Sequence, residues 1–311
     1  MSVRHFGSYR VELSNEDKVF FPDEGITKGD VIRYYQRVGK TMLKHLGGRP
    51  LTLQRFPDGI EEEGFYQKEV PDHFPDWIDR VGVDLEESDV QTQVVANRKA
   101  TLVYLADQGV ITPHVWLSRT GELRRPDRLV FDLDPATDDF TPVRRAARML
   151  QRLLDKLGLV PFVMTTGSTG AHVWTPIQRG PGFDDVRSFA GGVAECLTDA
   201  FPDDFTTETR KEKREGRLFV DVGRNAYGQT AVAPYALRPR PGAPVAAPLE
   251  WDELDRSDLT SRTFHLGNIP RRLGQKDDPW KGMGRRATSL DRSRKKLDEL
   301  DPDACEEEAT A

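Results

Sequence analysis

Asp132 and Asp134 stand one residue apart at the end of an apolar run, "RLVFDLD" (128–134), which stops at Pro135. Such a run predicts an interior strand, and side chains at i and i+2 of a strand share a face. Two neighbouring carboxylates repel each other unless a cation intervenes. A divalent ion does this well, because hard oxygen ligands suit magnesium or manganese. The same residues also describe a solvated strand end that turns at Asp-Pro. A second apolar run, "RLFVDV" (217–222), ends in one acid, Asp221. A lone strand-end aspartate is unremarkable, but three strand-borne carboxylates are the donor set of a two-metal centre for nucleotidyl transfer.

Between these strands lies "TTGSTGAH" (165–172), where Gly167 and Gly170 surround Ser168 and Thr169 and His172 opens the following run. Glycines let backbone N–H groups approach an anion, and the hydroxyls of Ser168 and Thr169 add donors, so a triphosphate fits here with His172 on a phosphate oxygen. An ordinary hairpin with polar turn residues and a satisfied histidine is the competing reading.

The elements that must hold these residues follow from periodicity. Helical patterns cover "TKGDVIRYYQRVGKTMLKHL" (27–46, with Thr27 as cap), "TPVRRAARMLQRLLDKLG" (141–158) and "FDDVRSFAGGVAECLTDAF" (183–201). Strands are predicted at "PLTLQRF", "TQVVA", "HVWLS", "RLVFDLD", "PFVMTT", "AHVWTPI", "RLFVDV" and "QTAVAPYAL". The segment "PFVMTTGSTGAHVWTPI" reads as two strands joined by a tight turn, hence antiparallel, which favours a mixed α+β sheet over a doubly wound one. No internal repeat or low-complexity linker divides the chain.

The chain has 311 residues, a 37% hydrophobic share and a net charge of −6, the values of a globular protein with a substantial core. The charge does not advertise a polyanionic partner, although basic residues cluster at 210–217, 237–241 and 292–296. The last cluster reads as a helix running into an acidic, disordered tail at 301–311. No run of eighteen apolar residues and no signal-peptide core occurs, so a cytoplasmic protein with no membrane partner is expected. Cys196 and Cys305 are far apart and offer neither a disulfide framework nor a cysteine-rich zinc site.

Taken in order, Asp132-Leu133-Asp134, then Ser168-x-Gly170-x-His172, then Asp221 in "FVDV" resemble the three motifs of the archaeo-eukaryotic primase superfamily. From about residue 10 to about residue 285 the chain is similar to the polymerase domain of bacterial ligase D. The segments "LSNEDKVFFP", "GFYQKEVP", "RLVFDLDP", "TTGSTGAHV" and, most specifically, "TAVAPYALRPRPGAPVAAPLEWDEL" carry the likeness. No ligase active-site lysine motif is present, which fits a stand-alone polymerase or one domain of a longer chain.

The resemblance implies an α+β fold with a mixed, largely antiparallel RRM-like core, flanking helices and a second small sheet. It implies one primase-polymerase domain over 1–300, with DNA-end contacts in about 1–110 and the catalytic core in about 111–285. It implies that Asp132, Asp134 and Asp221 hold two metal ions, manganese or magnesium. Ser168, Thr169, Gly170 and His172 would grip the triphosphate, with Arg238, Arg240, Lys68 and His114 assisting nucleotide or primer placement. Phe65 and Tyr66 match a template-stacking pair, which could also be a hydrophobic plug. Asn15, Lys18 and Lys28 match a pocket for the 5′-phosphate at the far edge of a gap. Arg224 and Gln229 stand where other members carry glutamine and lysine.

The implied activity is template-directed addition of deoxy- or ribonucleotides to gapped or broken double-stranded DNA in end joining. An ATP-dependent DNA ligase and a Ku-type end-binding protein are the implied partners. A polymerase that primes de novo, and a non-catalytic module that bridges DNA ends, remain as alternatives.

Overall fold

The structure, a computed structural model, describes residues 1–85 and 89–300, so the acidic segment 301–311 lies outside the described residues. The chain builds two compact units from interleaved segments. Unit 1 takes residues 1–121, 230–247 and 264–278, and unit 2 takes 122–229, 248–263 and the residues from 279 onward.

Unit 1 opens with an antiparallel hairpin of β1 (Ser2–Phe6) and β2 (Tyr9–Leu13) and a shorter one of β3 (Val19–Phe21) and β4 (Ile26–Thr27). Helix α1 (Lys28–Leu46) starts where the sequence predicts, at a capping box. Thr27 Oγ1 accepts from the Asp30 amide at 3.2 Å, and Asp30 Oδ2 accepts from the Thr27 amide at 2.9 Å. Its apolar stripe, Val31, Tyr35, Val38, Met42 and Leu46, is fully buried. Helix α2 (Lys99–Asp107) packs on α1 and is buried on every side from Ala100 to Asp107.

The sheet of unit 1 runs β15 (Thr230–Val232), β9 (Val110–Trp116), β5 (Pro50–Arg55), β8 (Val90–Val95), β7 (Asp79–Asp84), with β6 (Phe65–Gln67) also paired to β5. It has six strands, as many as the sheet of unit 2.

In unit 2 the order is β13 (Phe205–Thr206), β14 (Leu218–Asp221), β10 (Arg128–Asp134), β12 (Ala171–Pro176), β11 (Phe162–Thr165), β16 (Ala247–Leu249). β13 and β14 are parallel, whereas β14–β10, β10–β12 and β12–β11 are antiparallel, so the sheet is mixed. Strand β10 alternates faces. Leu129, Phe131 and Leu133 are fully buried on one side, leaving Asp132 and Asp134 on the other. Helices α3 (Thr141–Lys156) and α4 (Phe183–Ala200) pack on this sheet, and α5 (Leu290–Asp298) packs on α4. Among the described residues no helix is long and apolar enough to cross a membrane.

Candidate active site

Register brings the chemistry of unit 2 together on β10. Asp132 lies directly opposite Asp221 on β14 and directly opposite His172 on β12, and Asp134 follows two residues later. Directly opposed residues of antiparallel strands share a face, with Cβ atoms about 5 Å apart, and like charges so placed destabilise the sheet. Each acid is accordingly met by a cation or a donor.

Arg224 Nε lies 3.6 Å from Asp132 Oδ2 and 3.7 Å from Asp221 Oδ2. Arg214 Nη1 donates to Asp134 Oδ2 at 3.2 Å, with the guanidinium stacked 4.0 Å over the ring of Phe219, the register partner of Asp134. His172 is buried, with Nε2 3.2 Å from Asp132 Oδ1 and, among the described residues, no hydrogen-bond partner for Nδ1. The Gly223 amide donates to Asp221 Oδ1 at 2.6 Å, and Thr169 Oγ1 donates to Asp134 Oδ1 at 3.3 Å.

The turn 166–170 has a different internal logic from the anion cradle that its glycines suggest. The amides of Ser168 and Gly170 both point at Thr166 Oγ1, at 3.3 Å, while the Gly170 carbonyl accepts from Ser261 Oγ at 2.8 Å. A Cβ on Gly170 would lie 1.8 Å from the Leu133 carbonyl oxygen, so the hairpin requires glycine there to reach β10. Gly167 has φ +67°, the left-handed region that glycine adopts without strain. Arg262 Nε donates to the Ser168 carbonyl at 2.8 Å and fixes the outer side of the turn.

Thr166, Arg214, Asn225, Ser261 and Arg262 are parts of this site that sequence reasoning missed. Asn225 is the most telling. β14 ends at Asp221, which leaves Val130 of β10 without a strand partner on that side. The buried Asn225 carboxamide takes the place of a peptide group. Its Oδ1 accepts from the Val130 amide at 2.9 Å, and its Nδ2 donates to the Val130 carbonyl at 2.7 Å and to Val222 O at 2.9 Å. This closes the 3-10 turn Gly223–Asn225 that carries Arg224.

The remaining predicted residues belong to unit 1. The Lys28 amide donates to the Lys18 carbonyl at 2.8 Å, and Asn15, at φ +50°, turns the chain ahead of them, but the two ammonium groups go to different carboxylates. Both ammonium groups are paired within the unit. Lys28 is buried, 2.8 Å from Asp107 Oδ1 and 3.2 Å from Ser14 Oγ, and Lys18 pairs with the exposed Asp58. Phe65 and Tyr66 are exposed on β6, with Arg55 over the Phe65 ring at 5.4 Å and the half-buried His114 edge-on to Tyr66 at 5.6 Å. Lys68 and Arg240 are exposed and Arg238 is half-buried.

Among the described residues no three His, Cys, Asp or Glu side chains converge as a ready-made metal cage. The donor chemistry nevertheless fits divalent ions: three carboxylates share one face, and the charge of the opposed pair is balanced by a half-exposed arginine.

Unit 2 is thus a mixed sheet that presents two acids on one strand, a third directly opposite, and a histidine on the other neighbour. The family described as LigD, primase-polymerase domain, matches residues 27–280, and the chain belongs to it. It is 35% identical over 278 residues to the multifunctional non-homologous end joining DNA repair protein LigD of Mycobacterium tuberculosis H37Rv, covering 86% of this chain and 36% of that protein. It is 33% identical over 273 residues to the bifunctional non-homologous end joining protein LigD of Bacillus subtilis 168, covering 87% of this chain and 44% of that one. The chain thus spans roughly a third to under half of these relatives. The solved polymerase domain of M. tuberculosis ligase D in complex with DNA superposes with a TM-score of 0.83 at 34% identity, covering 89% of this chain and 99% of that one.

Proposed function

We propose that the chain is a template-directed nucleotidyltransferase that fills gaps and extends ends in bacterial end joining, with Asp132, Asp134 and Asp221 as its catalytic acids. The observation that carries this reading is the register that flanks Asp132 with Asp221 and His172 on one sheet face. In the reaction a primer 3′-hydroxyl attacks the α-phosphorus of a bound nucleotide and pyrophosphate departs. Divalent ions held by the three acids, manganese or magnesium, would supply Lewis-acid activation of the hydroxyl and neutralise charge on the phosphates.

The chain's own residues prepare that chemistry. His172 orients Asp132 through Nε2, and Arg214, stacked on Phe219, orients Asp134. Thr169 ties the turn to Asp134, holding Ser168 and His172 against the acids as the grip for the triphosphate. Within unit 1, Lys68, His114, Arg238 and Arg240 are assigned to nucleotide placement. The exposed rings of Phe65 and Tyr66 are assigned to template bases, where stacking is worth about 1–3 kcal/mol per base whatever the sequence. Asn15, Lys18 and Lys28 are assigned to a 5′-phosphate, with Lys28 paired to Asp107. An end-joining ligase and a Ku-type protein are the partners this role calls for.

The test is nucleotide addition in manganese on a gapped duplex ending downstream in 5′-phosphate or in 5′-hydroxyl, beside a template without primer. Preference for the phosphate-bearing gap is expected, with loss of activity on chelation. Equal use of both gaps together with synthesis on the unprimed template would replace end filling with de novo priming, and no addition anywhere would leave a bridging module.

A further inference from the structure

We propose that Arg224 is a tethered counter-cation for the Asp132–Asp221 pair, which a divalent ion must displace in order to enter, so that this one side chain sets the metal affinity of the resting enzyme. The inference rests on the reading of these aspartates as metal ligands and deepens it.

Two directly opposed carboxylates need a positive charge between them in every state of the protein, not only the loaded one. Arg224 supplies it from a near-symmetric position, 3.6 Å and 3.7 Å from one oxygen of each. Those separations are ion pairing without a close hydrogen bond, so the guanidinium balances charge but does not lock either carboxylate. Arg214 offers the contrast within the same site. It donates to Asp134 at 3.2 Å and to the carbonyls of Glu208 and Thr209 at 3.1 Å and 3.0 Å, and it stacks on Phe219. The side chain of Arg214 is only 12% exposed, against 43% for Arg224. Arg214 is built in, whereas Arg224 has a path into solvent.

Its backbone, however, is pinned. The buried Asn225 carboxamide holds the turn to β10, so the guanidinium swings out on a fixed stem and returns when the acids are bare. The two states exclude each other on charge. A divalent ion brings enough positive charge to balance both aspartates, and a guanidinium retained beside it would add repulsion. Metal binding therefore includes the cost of breaking two ion pairs, and removing the arginine charge removes that cost.

The experiment titrates the nucleotide-free protein with Mn²⁺, following free ion by electron paramagnetic resonance, and records unfolding temperature with and without saturating Mn²⁺. The proteins compared are wild type, Arg224→Gln, Arg224→Lys, Asp132→Ala and Asp221→Ala. Arg224→Gln is expected to bind Mn²⁺ about tenfold more tightly than wild type, the scale of two partly exposed ion pairs. It is also expected to unfold at lower temperature than wild type without metal and to draw level with it when saturated. Arg224→Lys keeps the charge and is expected to behave as wild type, which separates charge from local packing. Mn²⁺ binding by Arg224→Gln equal to or weaker than wild type, with binding lost in the aspartate variants, would overturn the counter-cation role while leaving the metal site standing. Undiminished Mn²⁺ binding by both aspartate variants would remove the metal site and this inference with it.

Discussion

Asn225→Ala is the substitution whose cost the structure states most directly. The carboxamide is fully buried and pairs with both backbone groups of Val130, on the side where β14 has already ended. Truncation leaves the Val130 N–H and C=O buried and unpaired, and each such group costs about 1–3 kcal/mol. The expected loss is therefore about 4 kcal/mol, a large part of a typical domain's stability. Two further variants separate this from a simple cavity. Asn225→Leu fills the space but leaves Val130 unpaired, so it is expected to lose almost as much as alanine. Asn225→Asp turns a carboxylate oxygen toward the carbonyls of Val130 and Val222 in place of the Nδ2 donor, and is expected to be the worst of the three. Urea unfolding monitored by circular dichroism gives the differences, with a check that the slope is unchanged. An alanine variant within about 0.5 kcal/mol of wild type, the range of surface changes, would refute the reasoning. Recovery by leucine would assign the effect to packing.

Other consequences are equally concrete. Gly170→Ala places a methyl 1.8 Å from the Leu133 carbonyl oxygen and is expected to cost about 3 kcal/mol; an unchanged urea midpoint with a raised nucleotide KM would return this glycine to anion binding. Asp107→Ala strips the buried Lys28 ammonium of its carboxylate and is expected to cost about 3–5 kcal/mol, whereas Asp58→Ala, which frees Lys18 at the surface, should cost under about 1 kcal/mol, both read from unfolding curves. The Asp30 carboxyl is raised by burial but more than offset by hydrogen bonds from Thr27 and Arg33, which hold it below its ordinary value of 3.8. Its contribution to α1 is complete above that value and is lost as pH falls through the folded one. Asp30→Asn is thus expected to lose about 1 kcal/mol near neutral pH, and the gap to wild type should shrink on acidification; a constant gap would contradict the capping role.

The residues that hold the site were legible in proportion to how local their reasons are. "RLVFDLD" coincides with β10, and Thr27 caps α1 as its side-chain chemistry dictates, because alternation and capping depend on near neighbours. The opposition of Asp132 to Asp221 is a matter of pairing and register between strands more than eighty residues apart, which neither strand's own pattern states. Helix α2 escaped because it is buried all round and so carries no polar face to mark its period. Asn225, and the pairing of Arg224 with the acids, escaped for a different reason. Their partners, Val130 and Asp132, are more than ninety positions away and are met only after the chain has returned through β12 and β14. Thr166 shows the limit of turn chemistry: glycines and hydroxyls suited to an anion are equally suited to satisfying one another, and distances decide. The interleaving that returns residues 230–247 to unit 1 leaves no trace in composition.

The most direct test of the catalytic assignment is incorporation of one labelled nucleotide into a primed, gapped duplex in manganese by Asp132→Ala, Asp134→Ala and Asp221→Ala, each first shown by circular dichroism to be folded. Loss of addition by at least about a thousandfold in all three, with DNA binding retained, is the expected result, since each removes a carboxylate from the face where charge must be neutralised. Any one of them adding nucleotide near the wild-type rate would contradict the assignment of the strand-borne acids as the catalytic centre.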